Sequence, residues 1–157
     1  MILGAVAVFF ALFADQVSKY LLATHLSNGE IITFFDFFNL VKVWNTGVSF
    51  SMFNNYGNIG RIALCILSLV VCAFLLWWMS KEKDKIKIIS LGLIIGGALG
   101  NVIDRIRFGA VLDFLDFHIA THHWPAFNLA DSFICIGAGI LILLELLNGQ
   151  KKGKEKK

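Results

Sequence analysis

Charge is what this chain most lacks. Only 16% of its 157 residues are Asp, Glu, Lys or Arg, where a soluble domain carries about 25%. Proline is almost absent, with a single residue, while 57% of the sequence is hydrophobic and the mean hydropathy is +0.74. A water-soluble globule is excluded by that balance, and a bilayer is the expected solvent. Cysteine is sparse too. Cys65, Cys72 and Cys135 stand in apolar stretches with no CxxC or CxxH spacing, which argues against a disulfide framework or a zinc site and for buried, inert thiols. The first apolar segment lacks a basic leader and runs into "DQVSKYLL", so no cleavable signal peptide is expected. There is no internal repeat. The net charge of +3 resides in two lysine clusters, "KEKDKIK" at 81–87 and "KKGKEKK" at 151–157, and no nucleic-acid partner is expected.

A bilayer crossing takes roughly 20 mainly apolar residues in a helix. Four segments qualify, 2–23, 59–79, 86–106 and 129–147. The expected fold is therefore an all-α polytopic membrane protein of four transmembrane helices, with one embedded domain over 1–150 and a basic cytoplasmic tail over 151–157. Short Lys-rich loops stay in the cytoplasm, which puts the 81–87 loop, the tail and both termini inside. The segments from about 25 to 58 and from about 107 to 128 then lie outside. The first of these, "IITFFDFFNLVKVWNTGVSFSMF", is aromatic and β-branched with a turn signal at Asn45-Thr46-Gly47, and strand-like structure is expected there. The second is expected to be a loop. Trp77 and Trp78 suit an interfacial aromatic belt.

With that topology, nearly every polar group outside the lysine clusters converges on one leaflet. Asp15 and Lys19 approach the outer end of the first span, Asn101, Asp104 and Arg105 that of the third, and Asn128 and Asp131 begin the fourth. Asp113 and Asp116 fall in the outer loop. Each has a structural alternative. Asp15 and Lys19, four residues apart on one helix face, are either an ion pair snorkelling to the interface or part of the chemistry. Asp104 and Arg105 are read as anchoring a helix end, and Asp116 as a solvated carboxylate. In "FNLAD", Asn128 reads as a helix cap and Asp131 as a carboxylate favoured by the helix N-terminus. Gly96, Gly97 and Gly100 are expected to let the third helix pack closely. His118, His122 and His123 lack a further ligand, and no metal is expected. The residues alone leave two readings open, an acid–base hydrolase or a proton- or cation-handling transporter. The apolar cytoplasmic halves offer a transporter no polar path, which favours the enzyme.

Five blocks in order, "DQVSK" (15–19), "NTGVSF" (45–50), "GGALGNVIDR" (96–105), "VLDFLDF" (111–117) and "WPAFNLADS" (124–132), are similar to those of bacterial lipoprotein signal peptidases, the signal peptidase II family. The resemblance implies an aspartic endopeptidase of the bacterial cytoplasmic membrane, with its site facing the extracytoplasmic side and a small β-rich cradle on the membrane surface. It implies substrates that are diacylglyceryl-modified prolipoproteins, cut on the amino side of the lipidated cysteine, and no cofactor. It places the catalytic pair at Asp113 and Asp131. Around them it places Asp15, Lys19, Asn45, Asn101, Arg105 and Asn128 as substrate-binding or site-supporting positions, with Asp104 supporting them. Membrane lipids are the other expected partners, and the protein is expected to act as a monomer.

Overall fold

The computed structural model describes residues 1–47 and 57–154, with side chains for 1–47 and 58–148. Four helices carry the chain, α1 (Ile2–His25), α2 (Gly57–Lys81), α3 (Lys85–Phe108) and α4 (Leu129–Lys154). All four are long and apolar enough to cross a membrane, and they coincide with the expected spans to within a few residues except at the last end. There the helix continues through residue 154, into the segment read as a tail. Asp84 starts α3 by accepting the backbone N–H groups of Ile86 (2.7 Å) and Lys87 (3.3 Å) with its carboxylate, which satisfies donors that have no partner within the helix. Gly109 ends α3 with φ +78°, a left-handed conformation that disfavours any side chain.

The bundle is built around α3, which packs against each of the other three helices. More than half of its apolar window is buried, 56%, whereas α4 buries only 11% of its own. Toward α2, α3 contributes Ile88, Leu91 and Ile95 to a cluster with Cys72, Leu75 and Met79. Toward α1 it presents glycines. A Cβ on Gly92 would stand 2.7 Å from the Gly4 carbonyl oxygen, and one on Gly96 2.6 Å from that of Val8. Gly97 fits the same way against the Ala130 carbonyl of α4. Lipid tails are as apolar as Leu, so helices in a membrane associate through such close approach rather than through exclusion of water. Exposed side chains such as Phe9, Phe10, Val70, Trp77 and Leu146 are then lipid-facing surface. Of the thiols, all free, Cys72 is buried, Cys65 half-buried, and Cys135 exposed on that surface, so the expectation of burial fails for Cys135.

At one end of the bundle lies a four-stranded antiparallel sheet in the order β1 (Ile31–Phe35), β2 (Phe38–Asn45), β3 (Val111–Ile119), β4 (His122–His123). Strand structure was expected in the first segment and is found up to Asn45; residues 48–53 of that segment lie outside the described residues. The second segment corrects the loop expectation, since nine residues from Val111 form the central strand β3. Its apolar residues are adjacent to charged ones, and the period-2 signal is broken by a bulge, because Phe114 and Leu115 both donate backbone N–H groups to the Phe127 carbonyl (3.0 and 2.8 Å). The pairing with β2 also shifts register between Leu40 and Val43. Lys42 of β2 donates to the carbonyls of Ala23 (2.7 Å) and Leu26 (2.8 Å), which fastens the sheet to the end of α1.

Overpacking a tight contact costs about 1–3 kcal/mol. Gly96→Ala is expected to destabilise the fold by such an amount, read as a lower thermal unfolding midpoint in detergent. Gly139→Ala, where a Cβ meets nothing within 4 Å, serves as the control and leaves the midpoint near that of the wild type.

Candidate active site

Asp15 and Lys19 are not at a wet interface. Both are buried, Asp15 completely, and the snorkelling alternative is ruled out. The Lys19 ammonium lies 2.9 Å from a carboxylate oxygen of Asp15 and 2.9 Å from one of Asp104. Removing three charges from water is costly unless they satisfy one another, and here the remaining valences are filled. Asp15 accepts the backbone N–H of Ala130 at 2.9 Å. Asp104 accepts that of Leu112 at 3.3 Å. The Gln16 amide donates to Asp15 (3.2 Å), Asp104 (3.0 Å) and the Gly100 carbonyl (3.3 Å). One cluster thereby joins α1, α3, β3 and the first turn of α4. Gln16 was missed from the sequence, although it sits inside "DQVSK"; an uncharged amide gives no signal until its neighbours are known.

The third donor of Lys19 leads onward. It bonds the Asn101 side-chain oxygen at 3.0 Å, and the Asn101 amide donates to Asp131 at 2.8 Å. Asn128 caps α4 as expected: its side-chain oxygen accepts the Asp131 N–H at 3.0 Å, while an Asp131 oxygen faces the Asn128 N–H at 3.4 Å. The fully buried Asn128 amide then reaches Asp113 at 2.7 Å and Asn101 at 3.3 Å. A second donor to Asp113 comes from Asn45 at 3.0 Å, and Asn45 is itself steadied by accepting the Gly47 N–H at 3.0 Å, the turn expected at 45–47. Asp113 and Asp131 are thus held by different elements, β3 and α4, and share Asn128 as a common neighbour.

Both carboxylates line one cavity of about 200 Å³, together with Asn45, Asn101, Arg105, Val111 and Ala126. Several waters fit in such a volume, each occupying about 30 Å³. Arg105 donates to the Gly47 carbonyl at 3.0 Å, and its Nε is buried without a hydrogen-bond partner among the described residues. Burial pushes the Asp113 carboxyl up to about 6, and the charge of Asp131 adds to that, against the hydrogen bonds from Asn45 and Asn128. A carboxyl poised there can hold or release a proton near neutral pH.

Asp116 corrects the sequence reading. It is buried on β3 rather than solvated. Asp116 is not among the residues that line the cavity. It accepts from Asn39 at 3.0 Å and contacts His123 Nδ1 at 2.9 Å. Burial opposes its ionisation, but the bonds from Asn39 and His123 outweigh that and hold it below the ordinary value. The histidines serve this contact and a ring stack of His118 on His123, 4.8 Å between centroids. Among the described residues no group of His, Cys, Asp or Glu side chains is arranged to hold a metal ion.

Of the nine sequence-predicted site residues, Asn45, Asn101, Arg105, Asp113 and Asp131 border the cavity. Asn128 bridges the two aspartates from behind, and Asp15, Lys19 and Asp104 form the ionic support.

Residues 7–147 match the family model of signal peptidase (SPase) II. The chain is 42% identical over 146 residues to the lipoprotein signal peptidase of Anaplasma phagocytophilum (strain HZ), covering 92% of each. It is 44% identical over 142 residues to that of Thermodesulfovibrio yellowstonii (strain ATCC 51303 / DSM 11347 / YP87), covering 90% of this chain and 93% of the relative. A bacterial membrane enzyme solved by the in meso method at 2.3 Å superposes with a TM-score of 0.85 at 28% identity, over 95% of this chain and 90% of the other. This chain belongs to the signal peptidase II family, a family of membrane peptidases, and the transporter reading is not favoured.

Removing one partner of a buried ion pair costs about 3–5 kcal/mol, because the other is left uncompensated. Lys19→Met strands both Asp15 and Asp104. It is expected to reduce stability by that amount, read as the loss of a cooperative unfolding transition at temperatures where the wild type is folded.

Proposed function

We propose that this signal peptidase II removes signal peptides from diacylglyceryl-modified prolipoproteins, cutting on the amino side of the lipidated cysteine with Asp113 and Asp131 as its acid–base pair. The observation that carries the reading is the single cavity lined by both carboxylates, each fixed by an asparagine amide. Two neighbouring carboxyls do not both ionise cheaply, so one keeps a proton while the other is charged. The raised Asp113 carboxyl takes the protonated role and donates to the developing oxyanion. Asp131 is the base that deprotonates a water as it attacks the scissile carbonyl. The proton taken from water passes to the leaving amine as the C–N bond breaks, and Asp113 recovers its proton from the intermediate's hydroxyl as the carbonyl reforms, so the dyad is regenerated. Arg105 and Asn45, at the cavity wall, hold the substrate backbone. Every one of these groups belongs to one chain, in keeping with a monomeric enzyme.

The site's depth fits the lipid. It lies at the sheet end of the bundle, opposite Lys81, Lys83, Lys85 and Lys87, and short lysine-rich loops stay cytoplasmic; the cavity accordingly opens at the extracytoplasmic side of the cytoplasmic membrane. Acyl chains contribute about 0.8 kcal/mol per buried CH₂ to anchoring, which holds the scissile bond in this plane and supplies the advantage of a pre-positioned reaction. The remaining polar groups support a peptidase over a conduit. Toward the lysine end the buried side chains include Ala7, Leu75, Met79, Ile88 and Leu91, with Ser90 bonded to its own helix at the Ile86 carbonyl.

The test is cleavage of one prolipoprotein with and without prior diacylglyceryl transfer, at matched detergent concentration. The lipidated precursor is expected to shift on a gel and the unmodified one to remain intact. Asp113→Asn and Asp131→Asn each lower turnover by ~10²–10⁴-fold or more, whereas Asp116→Asn leaves it within a few-fold. Equal cleavage of both precursors would sink the lipid requirement, and normal turnover in either dyad variant would sink the assignment.

The elevated Asp113 carboxyl also sets a pH dependence. If its protonated form is the acid, kcat/KM declines as pH rises through about 6. Stability moves the same way. An unfolded Asp has its ordinary value of 3.8, so between that value and about 6 the folded chain binds the extra proton and loses stability as pH rises. The wild-type Tm is expected to fall relative to that of Asp113→Asn between pH 4 and pH 6. Parallel Tm curves for the two proteins would refute the coupling.

A further inference from the structure

A second cavity, of about 280 Å³, lies at the sheet end of the bundle around α3 from the dyad, walled by α1, β2 and the last turn of α3. Its charged lining is Lys19, Lys42, Arg107 and Asp104. Lys19 is shared between Asp104 and Asp15 at 2.9 Å each, a group one negative charge in excess, so with Lys42 and Arg107 added the surroundings of the cavity are left with one excess positive charge. Neither Lys42 nor Arg107 has a carboxylate partner among the described residues. Lys42 gives two of its three protons to the carbonyls of Ala23 and Leu26 and keeps one. Arg107 stands with its guanidinium over the Phe108 ring, 5.0 Å from the centroid, and its N–H groups donate to nothing among the described residues. Two cations without a carboxylate contact, facing one partly enclosed space with a net positive balance, favour an anion between them.

The depth of this cavity selects the kind of anion. Tyr20, Trp44 and Phe108 line it and remain largely exposed, as aromatic side chains do at the level of lipid headgroups. Along the same face of α1, at helical spacing from Tyr20, Phe13 and Phe9 are exposed and stacked, 5.7 Å between centroids. That face offers apolar surface running from the cavity into the bilayer. A phosphate suits the polar end, because Arg binds two of its oxygens at once and Lys adds a point charge. We propose that this cavity binds the phosphate of an anionic phospholipid, with Arg107 and Lys42 on the headgroup and the acyl chains along Phe13 and Phe9. The bound lipid would stand beside Lys19, whose bond to Asn101 continues to Asp131, although the lipid site itself does not depend on the peptidase assignment.

The full chain, purified in detergent, is tested by native mass spectrometry with equal amounts of phosphatidylglycerol and phosphatidylcholine. Phosphatidylglycerol is expected to be retained preferentially. Arg107→Gln weakens that retention about tenfold through loss of a charge-assisted contact, Arg107→Lys, which keeps the charge but not the two-oxygen contact, falls between that variant and the wild type, and Lys83→Gln in the loop at the opposite end leaves it unchanged. Inorganic phosphate at the same concentration does not displace the lipid. Equal retention of the two lipids, retention unaltered by Arg107→Gln, or displacement by inorganic phosphate, which would make this a site for the free anion, would each overturn the proposal.

Discussion

The ammonium of Lys19, held between Asp15 and Asp104, is the interaction on which the rest of the site depends. In a medium that cannot hydrate them, three charged groups persist only where each meets the others. Meeting requires that α1 lie directly on α3, and the glycines at 92, 96 and 100 permit it. A Cβ at Gly100 would occupy the place of the Asp15 carboxylate itself. Asp15 then draws in the first turn of α4 through Ala130, and Asp104 fixes the start of β3 through Leu112. The two elements that carry Asp131 and Asp113 are therefore positioned by the same ionic cluster. The ionic support and the proposed acid–base pair are separate groups in one network.

Asparagine is the connecting residue type in that network, for a chemical reason. An amide donates and accepts at once without carrying charge. Asn101 accepts from Lys19 and donates to Asp131, while Asn128 accepts from the Asp131 backbone and donates to Asp113. Charged side chains in those places would pin both aspartates in the ionised state. Amides hold their positions and leave burial and mutual repulsion to lift one of them, as occurs at Asp113. A pair held in this way suits the peptide hydrolysis proposed for it, where one group must accept a proton as another donates.

The sheet divides its labour between neighbours. Asp113 and Asp116 are close together in "VLDFLDF", yet the first lines the cavity while the second bonds Asn39 and contacts His123. Asp116 thus braces the β3–β4 hairpin, and the segment that follows it carries Ala126 to the cavity wall. Two carboxylates of one short motif serve different ends, one at the cavity proposed for the chemistry and one in holding the shape around it.

What the sequence by itself determined was set by solvent and by local chemistry. Four apolar runs have one stable form in a bilayer, because only a helix satisfies its own backbone there. Likewise, Asn128 and Asp131 stand at the spacing of a helix cap and the glycines of "GGALG" at that of a close contact. The five motif blocks also made the family legible, and with it the proposed pair. Tertiary structure alone decided the burial of Asp116, the strand over 111–119, the part played by Gln16 and the exposure of Cys135. These depend on what lies opposite each residue. β3 exists because β2, some seventy positions earlier in the chain, offers it a partner, and its bulge erases the alternation that would have announced it. A carboxylate that reads as solvated becomes buried once Asn39 and His123 arrive from elsewhere to replace the water.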